Sequence, residues 1–256
     1  MSWKIFATVL LGVCLCCPYF SNGQPTISAA AFEKPMRFSV GVNVSPDYTY
    51  RRLTNNDGSS SSDVIIGLRD KLETAKAGYT IGICALLRKS ARLGFEIGLQ
   101  YSNKGYAFGK TDLVFSPVID PRYNLPYSTG PIYTVVNYNY HYLDIPVRVI
   151  YNLGGRKIKF IASVGVATNV LVNAPPTAIF EGDTSGTGAQ AGQGYEFRKL
   201  NLSPHVALGF NYRVSENVDL CVEPTFRYGL LKIIDAPITG YLWNAGLIIT
   251  GYYTFR

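Results

Sequence analysis

Leu93-Gly94-Phe95-Glu96-Ile97-Gly98-Leu99-Gln100-Tyr101 decides the fold. Every odd position carries a large apolar side chain, and every even one a glycine or a polar group. Successive side chains of an extended strand point to opposite faces, so this alternation makes one greasy face and one small or polar face. A helix, with its period of about 3.6, would scatter the same residues around its axis. The stretch predicts a strand with one face in an apolar medium.

The same period runs on both sides of it. Phe38, Val40, Val42 and Val44 alternate with Ser39, Gly41, Asn43 and Ser45. Leu143, Ile145, Val147, Val149 and Tyr151 alternate with Asp144, Pro146 and Arg148. Val206, Leu208, Phe210 and Tyr212 alternate with His205, Ala207, Gly209 and Asn211. Similar runs over 79–87, 160–167, 218–228 and 243–255 bring the expectation to eight strands. Residues 88–92, 153–156 and 214–217 read as short polar turns, whereas 46–78, 102–137, 173–199 and 230–240 read as long connections. Strict alternation of long and short connections predicts an all-β fold: an eight-stranded antiparallel up-and-down barrel with every long loop at one end.

Which face meets water separates a soluble from a membrane barrel. A soluble eight-stranded barrel points its apolar face inward and covers its exterior with Lys, Glu and Thr. Here the polar face is mostly Gly, Ser, Ala and Asn, small enough for the narrow bore of eight strands. Tyr101, Tyr151, Tyr212, Tyr228, Trp243, Tyr253 and Phe255 sit near strand ends on the apolar face. Aromatic girdles of membrane barrels lie there. Closure pairs every backbone amide, as hydrocarbon demands. The expectation is a transmembrane β-barrel with short periplasmic turns and long extracellular loops.

Composition narrows the function. Hydrophobic residues make up 47% and charged ones 16%, which excludes general disorder. The 24 basic against 17 acidic residues form no cluster that would track a phosphate backbone, so no nucleic-acid partner is expected. With two His in the chain, no metal and no cofactor is expected.

The N-terminus reads as an address. Lys4 lies in a short positive segment and residues 5–17 are apolar, well below the roughly 20 residues a spanning helix needs. Ser21-Asn22-Gly23 then supplies small residues for cleavage. The reading is a cleaved signal peptide over 1–23, a short periplasmic segment over 24–36 and the barrel domain over 37–256. Cys84 and Cys221 remain in the mature chain, both inward by parity and three strands apart, so two free thiols are expected.

By parity the bore receives Glu96, Asp144, Arg148, Lys159, Asp219, Glu223 and Arg227. Opposite charges in a narrow bore of low dielectric pair and fill it, since an unpaired buried charge is costly. The sharper alternative is an ion or proton path through the same residues. Ser203 and His205 share the inward face with Glu223, the residue types that activate a hydroxyl for acyl transfer. They point away from lipid and nothing marks an oxyanion hole, so no catalytic residue is expected. Among the connections, 59–62 reads as flexible surface and 63–76 as a short helix weakened by Gly67. Tyr- and Pro-rich 124–140 suits contact with a partner or glycan, or folding of its rings onto the rim. Gly-rich 184–194 lacks the Lys of a phosphate loop.

His141-Tyr142-Leu143-Asp144-Ile145-Pro146-Val147 resembles the Tyr-Leu-Glu-Ile-Pro strand of outer-membrane β-barrel proteins of Bacteroidetes, the group that includes PorT-like proteins. Phe38-Ser39-Val40-Gly41-Val42-Asn43 and the Gly-rich hairpins extend the resemblance over residues 37–256. Asp144 replaces the usual Glu and keeps its charge. The chain ends Phe255-Arg256 where barrels read by the barrel-assembly machinery end in an aromatic residue, yet Tyr253 and Phe255 share a face and recognition is expected to survive. The resemblance implies the bacterial outer membrane, with its lipid and the barrel-assembly machinery as partners. It also implies two roles: a structural or interaction protein acting through its external loops, or a PorT-like accessory component of protein secretion that meets other envelope or secretion proteins. A narrow channel and a lipid-modifying barrel enzyme are the remaining readings.

Overall fold

The computed structural model describes residues 37–113, 132–154, 157–174, 176–181, 197–234 and 236–255. The expected signal peptide, the 24–36 segment, the 184–194 stretch and the first part of the Tyr- and Pro-rich connection lie outside them. The strands are β1 (Arg37–Asn55), β2 (Glu73–Thr74), β3 (Lys76–Arg88), β4 (Leu93–Leu113), β5 (Ile132–Gly154), β6 (Ile158–Asn173), β7 (Pro176–Glu181), β8 (Leu200–Arg213), β9 (Val218–Tyr228) and β10 (Ile238–Thr254). Helix α1 (Ser60–Leu72) lies between β1 and β2. Hydrogen bonds run in the order β4-β3-β1-β10-β9-β8-β6-β5, and β5 pairs back onto β4. That is a closed antiparallel ring of eight strands, as the periodicity predicts. The small strands β2 and β7 add to the far ends of β4 and β5.

The ring is inside out relative to a water-soluble protein. Val42 is 64% exposed, Ile83 60% and Phe210 59%, whereas Glu223 and Thr250 are 0% and Asp144 1%. In water such a surface would forfeit about 25 cal/mol for each Å² of apolar area, and lipid removes that penalty. Register holds the two faces apart. Ile97 lies opposite Val147 on the outer wall, and Glu96 opposite Arg148 on the inner one. A slip of one residue would turn the charges into lipid.

Rings mark the edges of the greasy belt. Phe38 stacks on Phe255 at 6.0 Å at the short-turn end. At the other edge Trp243 contacts Tyr48 at 6.1 Å and Phe226 at 5.9 Å, and Tyr79 contacts Tyr101 at 6.3 Å. From Phe38 to Tyr48, β1 has about the 9–11 residues a tilted strand needs to cross a bilayer.

Above the second girdle the structure departs from the sequence reading. Residues 46–55, 102–113 and 132–137 stay in β1, β4 and β5 instead of forming loops. Out there the outer face leaves lipid, so apolar alternation stops while backbone pairing continues. The helix occupies 60–72 instead of 63–76: the Ser59 side chain caps the Ser61 N–H, and Glu73 already has extended geometry. The serine run therefore starts a helix, with Ser62 buried, and is not loose surface. At the opposite end Gly154 adopts φ +103°, a conformation open to glycine, where the chain turns from β5 toward β6.

Candidate functional site

The bore is closed at three levels. Its floor, at the short-turn end, is an apolar cluster of Cys84, Leu86, Ile150, Ile161, Cys221 and Tyr252. Both thiols are free and buried there. Arg88 seals the same end: its Nη2 donates to Asp219 Oδ2 at 2.8 Å and its Nη1 to Ser39 Oγ at 2.8 Å and Thr254 Oγ1 at 3.2 Å.

Mid-bore, Arg148 reaches from β5 to two carboxylates. Its Nε donates to Glu96 Oε1 at 2.7 Å and Nη2 to Glu96 Oε2 at 3.1 Å, a two-pronged pairing with the neighbouring strand. Nη1 crosses the lumen to Glu223 Oε2 on β9 at 2.8 Å. Ser163 Oγ donates to Glu223 Oε1 at 3.0 Å, and the Tyr252 hydroxyl donates to Glu96. One level higher, Asp144 accepts from Lys104 Nζ at 2.9 Å, Ser102 Oγ at 2.8 Å and Asn169 Nδ2 at 2.6 Å. Asp47 accepts from Thr80 Oγ1 at 2.6 Å and lies 3.8 Å from Arg227 Nη1. A cavity of about 10 Å³ touches Glu96, Asp144, Arg148, His205 and Arg227, room for about one water.

Of the charges expected in the bore, Glu96, Asp144, Arg148, Glu223 and Arg227 come together in this middle layer. Asp219 joins the floor. Lys159 is half-buried at the short-turn end, with no ion-pair partner among the described residues. Asp47, Arg88 and Lys104 complete the network and escape the sequence reading. Inward parity reaches them: Asn43, Ser45, Asp47, Thr49 and Arg51 continue one face of β1, and Gln100, Ser102 and Lys104 one face of β4. Ser203 and His205 are buried on the lumen wall but do not assemble with Glu223. Ser203 Oγ donates to Asn169 Oδ1 at 2.5 Å, and no hydrogen bond joins His205 to either partner. Among the described residues no group of His, Cys, Asp and Glu is placed to hold a metal.

The mouth is aromatic. Tyr106, Tyr140, Tyr142, Ile233 and Leu242 are buried above the polar layer, with Tyr138 and Phe197 packed against them. Tyr106 stacks on Tyr138 at 4.7 Å, and Tyr140 meets Phe197 edge-on at 5.9 Å. In this part of the Tyr-rich connection the rings fold onto the rim. Burial raises the pKa of Tyr106 and Tyr140. Gly105 permits the close approach of β4 and β5, because a Cβ there would lie 1.8 Å from the Tyr138 carbonyl oxygen. Beside this cap Arg51 Nε donates to Glu73 Oε2 at 2.6 Å and its Nη1 pairs with Asp70. Arg69 Nε donates to Glu73 Oε1 at 2.6 Å, and the Arg51 guanidinium stands 5.2 Å from the Tyr50 ring centre. These contacts tie α1 and β2 to the barrel, while Val64, Ile65 and Leu68 of α1 stay exposed.

A family described as the outer membrane protein beta-barrel domain matches residues 23–235. Compared with curated proteins by sequence, the chain matches none. Among solved structures it is similar to the outer membrane protein OprG from Pseudomonas aeruginosa, with 12% identity and a TM-score of 0.46 over 86% of this chain and 96% of that one. Outer membrane protein AlkL in lipid bilayers gives 13% identity and a TM-score of 0.44 over 93% and 97%. Neisserial surface protein A gives 13% and 0.43 over 83% and 95%.

Proposed function

We propose, from the premise that the chain belongs to the outer membrane protein beta-barrel domain family, that it is a closed-bore barrel of structural or interaction type whose long-loop end binds ligands or partner proteins. Its place is the bacterial outer membrane, where lipid bathes the apolar wall. The observation that carries the reading is Arg148 clamped between Glu96 and Glu223 across the lumen, with an apolar floor below and an aromatic cap above. Charges so paired serve as packing and not as a path. The surface left to do work is the long-loop end, with the exposed face of α1. Purified protein in planar bilayers is expected to show little or no steady conductance, and large stable channels would overturn the closed bore.

The protein acts on this reading without catalysis, since Ser203 and Glu223 are committed to Asn169, Arg148 and Ser163. Lipid A is expected to be the same with the parent and with Ser203→Ala. A second reading is favoured by the Tyr142-Leu143-Asp144-Ile145-Pro146 strand, whose Asp144 takes three hydrogen bonds that fix β4, β5 and β6 in the bore. It is a PorT-like accessory role in protein secretion of a Bacteroidetes-type bacterium. Deleting the gene and comparing secreted proteins separates the two roles. The cleaved 1–23 segment belongs to both, and N-terminal sequencing of the mature protein is expected to begin at Gln24.

A further inference from the structure

On the outer wall, β10, β1, β3 and β4 share an apolar groove of about 680 Å³ lined by Val40, Val42, Ile83, Ala85, Ile97 and Gly251. It is a dent made by small residues at outward positions. Gly251 stands opposite Val42, and Ala85 opposite Val40 and Ile97. A Cβ on Gly251 would meet nothing within 4 Å, so the space beside it is open. The volume lies within the range of small-molecule sites.

The rim beneath the groove is basic. Arg37 opens β1, and Lys89 and Arg92 lie in the turn joining β3 to β4, at the foot of three of the strands that form the groove. With Lys157 they are exposed, and none has an ion-pair partner among the described residues. Arg88 and Arg213 are occupied by Asp219. At the long-loop end Arg51, Arg69 and Lys104 pair with Asp70, Glu73 and Asp144.

We infer that the groove and the rim form one binding site for an anionic phospholipid of the periplasm-facing leaflet, its acyl chain in the groove and its phosphate on Arg37, Lys89 and Arg92. The groove continues the lipid-facing belt, so its occupant comes from the bilayer. The rim supplies positive charge at headgroup height, and the long stems of Arg and Lys let the cations reach it. A neutral lipid would satisfy the groove alone, and free phosphate the rim alone. Only a molecule with an apolar tail and a net negative head fits both.

The protein folded into vesicles of equal phosphatidylethanolamine and phosphatidylglycerol is extracted, and the lipid that stays with it is weighed by mass spectrometry. Phosphatidylglycerol is expected to be retained above its bulk share. Each of Arg37→Gln, Lys89→Gln and Arg92→Gln is expected to cut that enrichment on the order of fivefold. Gly251→Leu, which fills the dent, is expected to reduce retained lipid with the rim intact. Retention at the bulk ratio would overturn the site. So would enrichment that survives Gly251→Leu while falling in the rim variants, because that marks unspecific charge. Lys89→Gln, in a turn outside the ring, keeps the test decisive if another variant does not fold.

Discussion

Two arginines in this molecule each hold two carboxylates, and they sit in different worlds. Arg148 has 5% of its side chain exposed, and its partners Glu96 and Glu223 have 2% and 0%. Arg51 is 1% exposed, but one of its partners, Asp70, is 55% exposed. The first arginine joins β5 to β4 and, across the lumen, to β9. The second fastens an appended helix to the top of β1. Identical chemistry therefore plugs a bore in one place and tethers a cap in the other. The burial of the partner acid decides which, because an acid with access to water survives the loss of its cation.

Removing Arg148 is the largest perturbation. Arg148→Ala leaves Glu96 and Glu223 buried without their cation, and breaking such a pair costs about 3–5 kcal/mol. The expected readout is a lower urea midpoint for the whole barrel in micelles. A midpoint equal to that of the parent would mean that the middle layer does not hold the ring. Gly105→Ala comes next, since a methyl group there collides with the backbone of β5, and overpacking of this kind costs about 1–3 kcal/mol. Loosening is expected in hydrogen exchange of 103–108 and 136–140, with the girdled region unchanged.

Arg51→Ala should act locally. Glu73 keeps Arg69 and Asp70 keeps water, so the expected change is proteolysis or faster exchange over 60–74 at an unaltered urea midpoint. A fall in midpoint as large as that of Arg148→Ala would erase the distinction between plug and tether. The smallest effect belongs to alkaline pH. Burial holds Tyr106 and Tyr140 above the ordinary 10.0, so packing of the mouth is intact below that value and is lost as pH climbs through their raised values. Ultraviolet titration should show these tyrosines ionising above the ordinary tyrosine range, with the cap opening as they do.

The membrane-level ring was legible in the sequence because lipid enforces a rule on every second residue. Val40, Val42 and Val44, or Phe95, Ile97 and Leu99, have no polar alternative, and their even neighbours give the lumen charges by counting. Beyond Tyr48 and Tyr101 that enforcement ends. Arg52 and Asn103 take outward positions where polar side chains are tolerated once lipid ends, so the extensions of β1 and β4 look like loops, and Asp47 and Lys104 pass unnoticed although parity reaches them. Pairing partners were not legible. Arg148 takes Glu223 as well as its neighbour Glu96 because ring closure sets β5 and β9 across the lumen from each other, a relation no local pattern encodes.

The ring is sewn shut between β1 and β10, where Ser39 meets Thr254 and Asn55 meets Ile238. Those two strands stand furthest apart along the polypeptide, so the seam is the slowest contact to find. A chain halted before β10 would carry two raw edges, each a template for a stranger's strand. Premature termination should thus give sticky debris and not a smaller pore, and quality control in the envelope has a single junction to inspect.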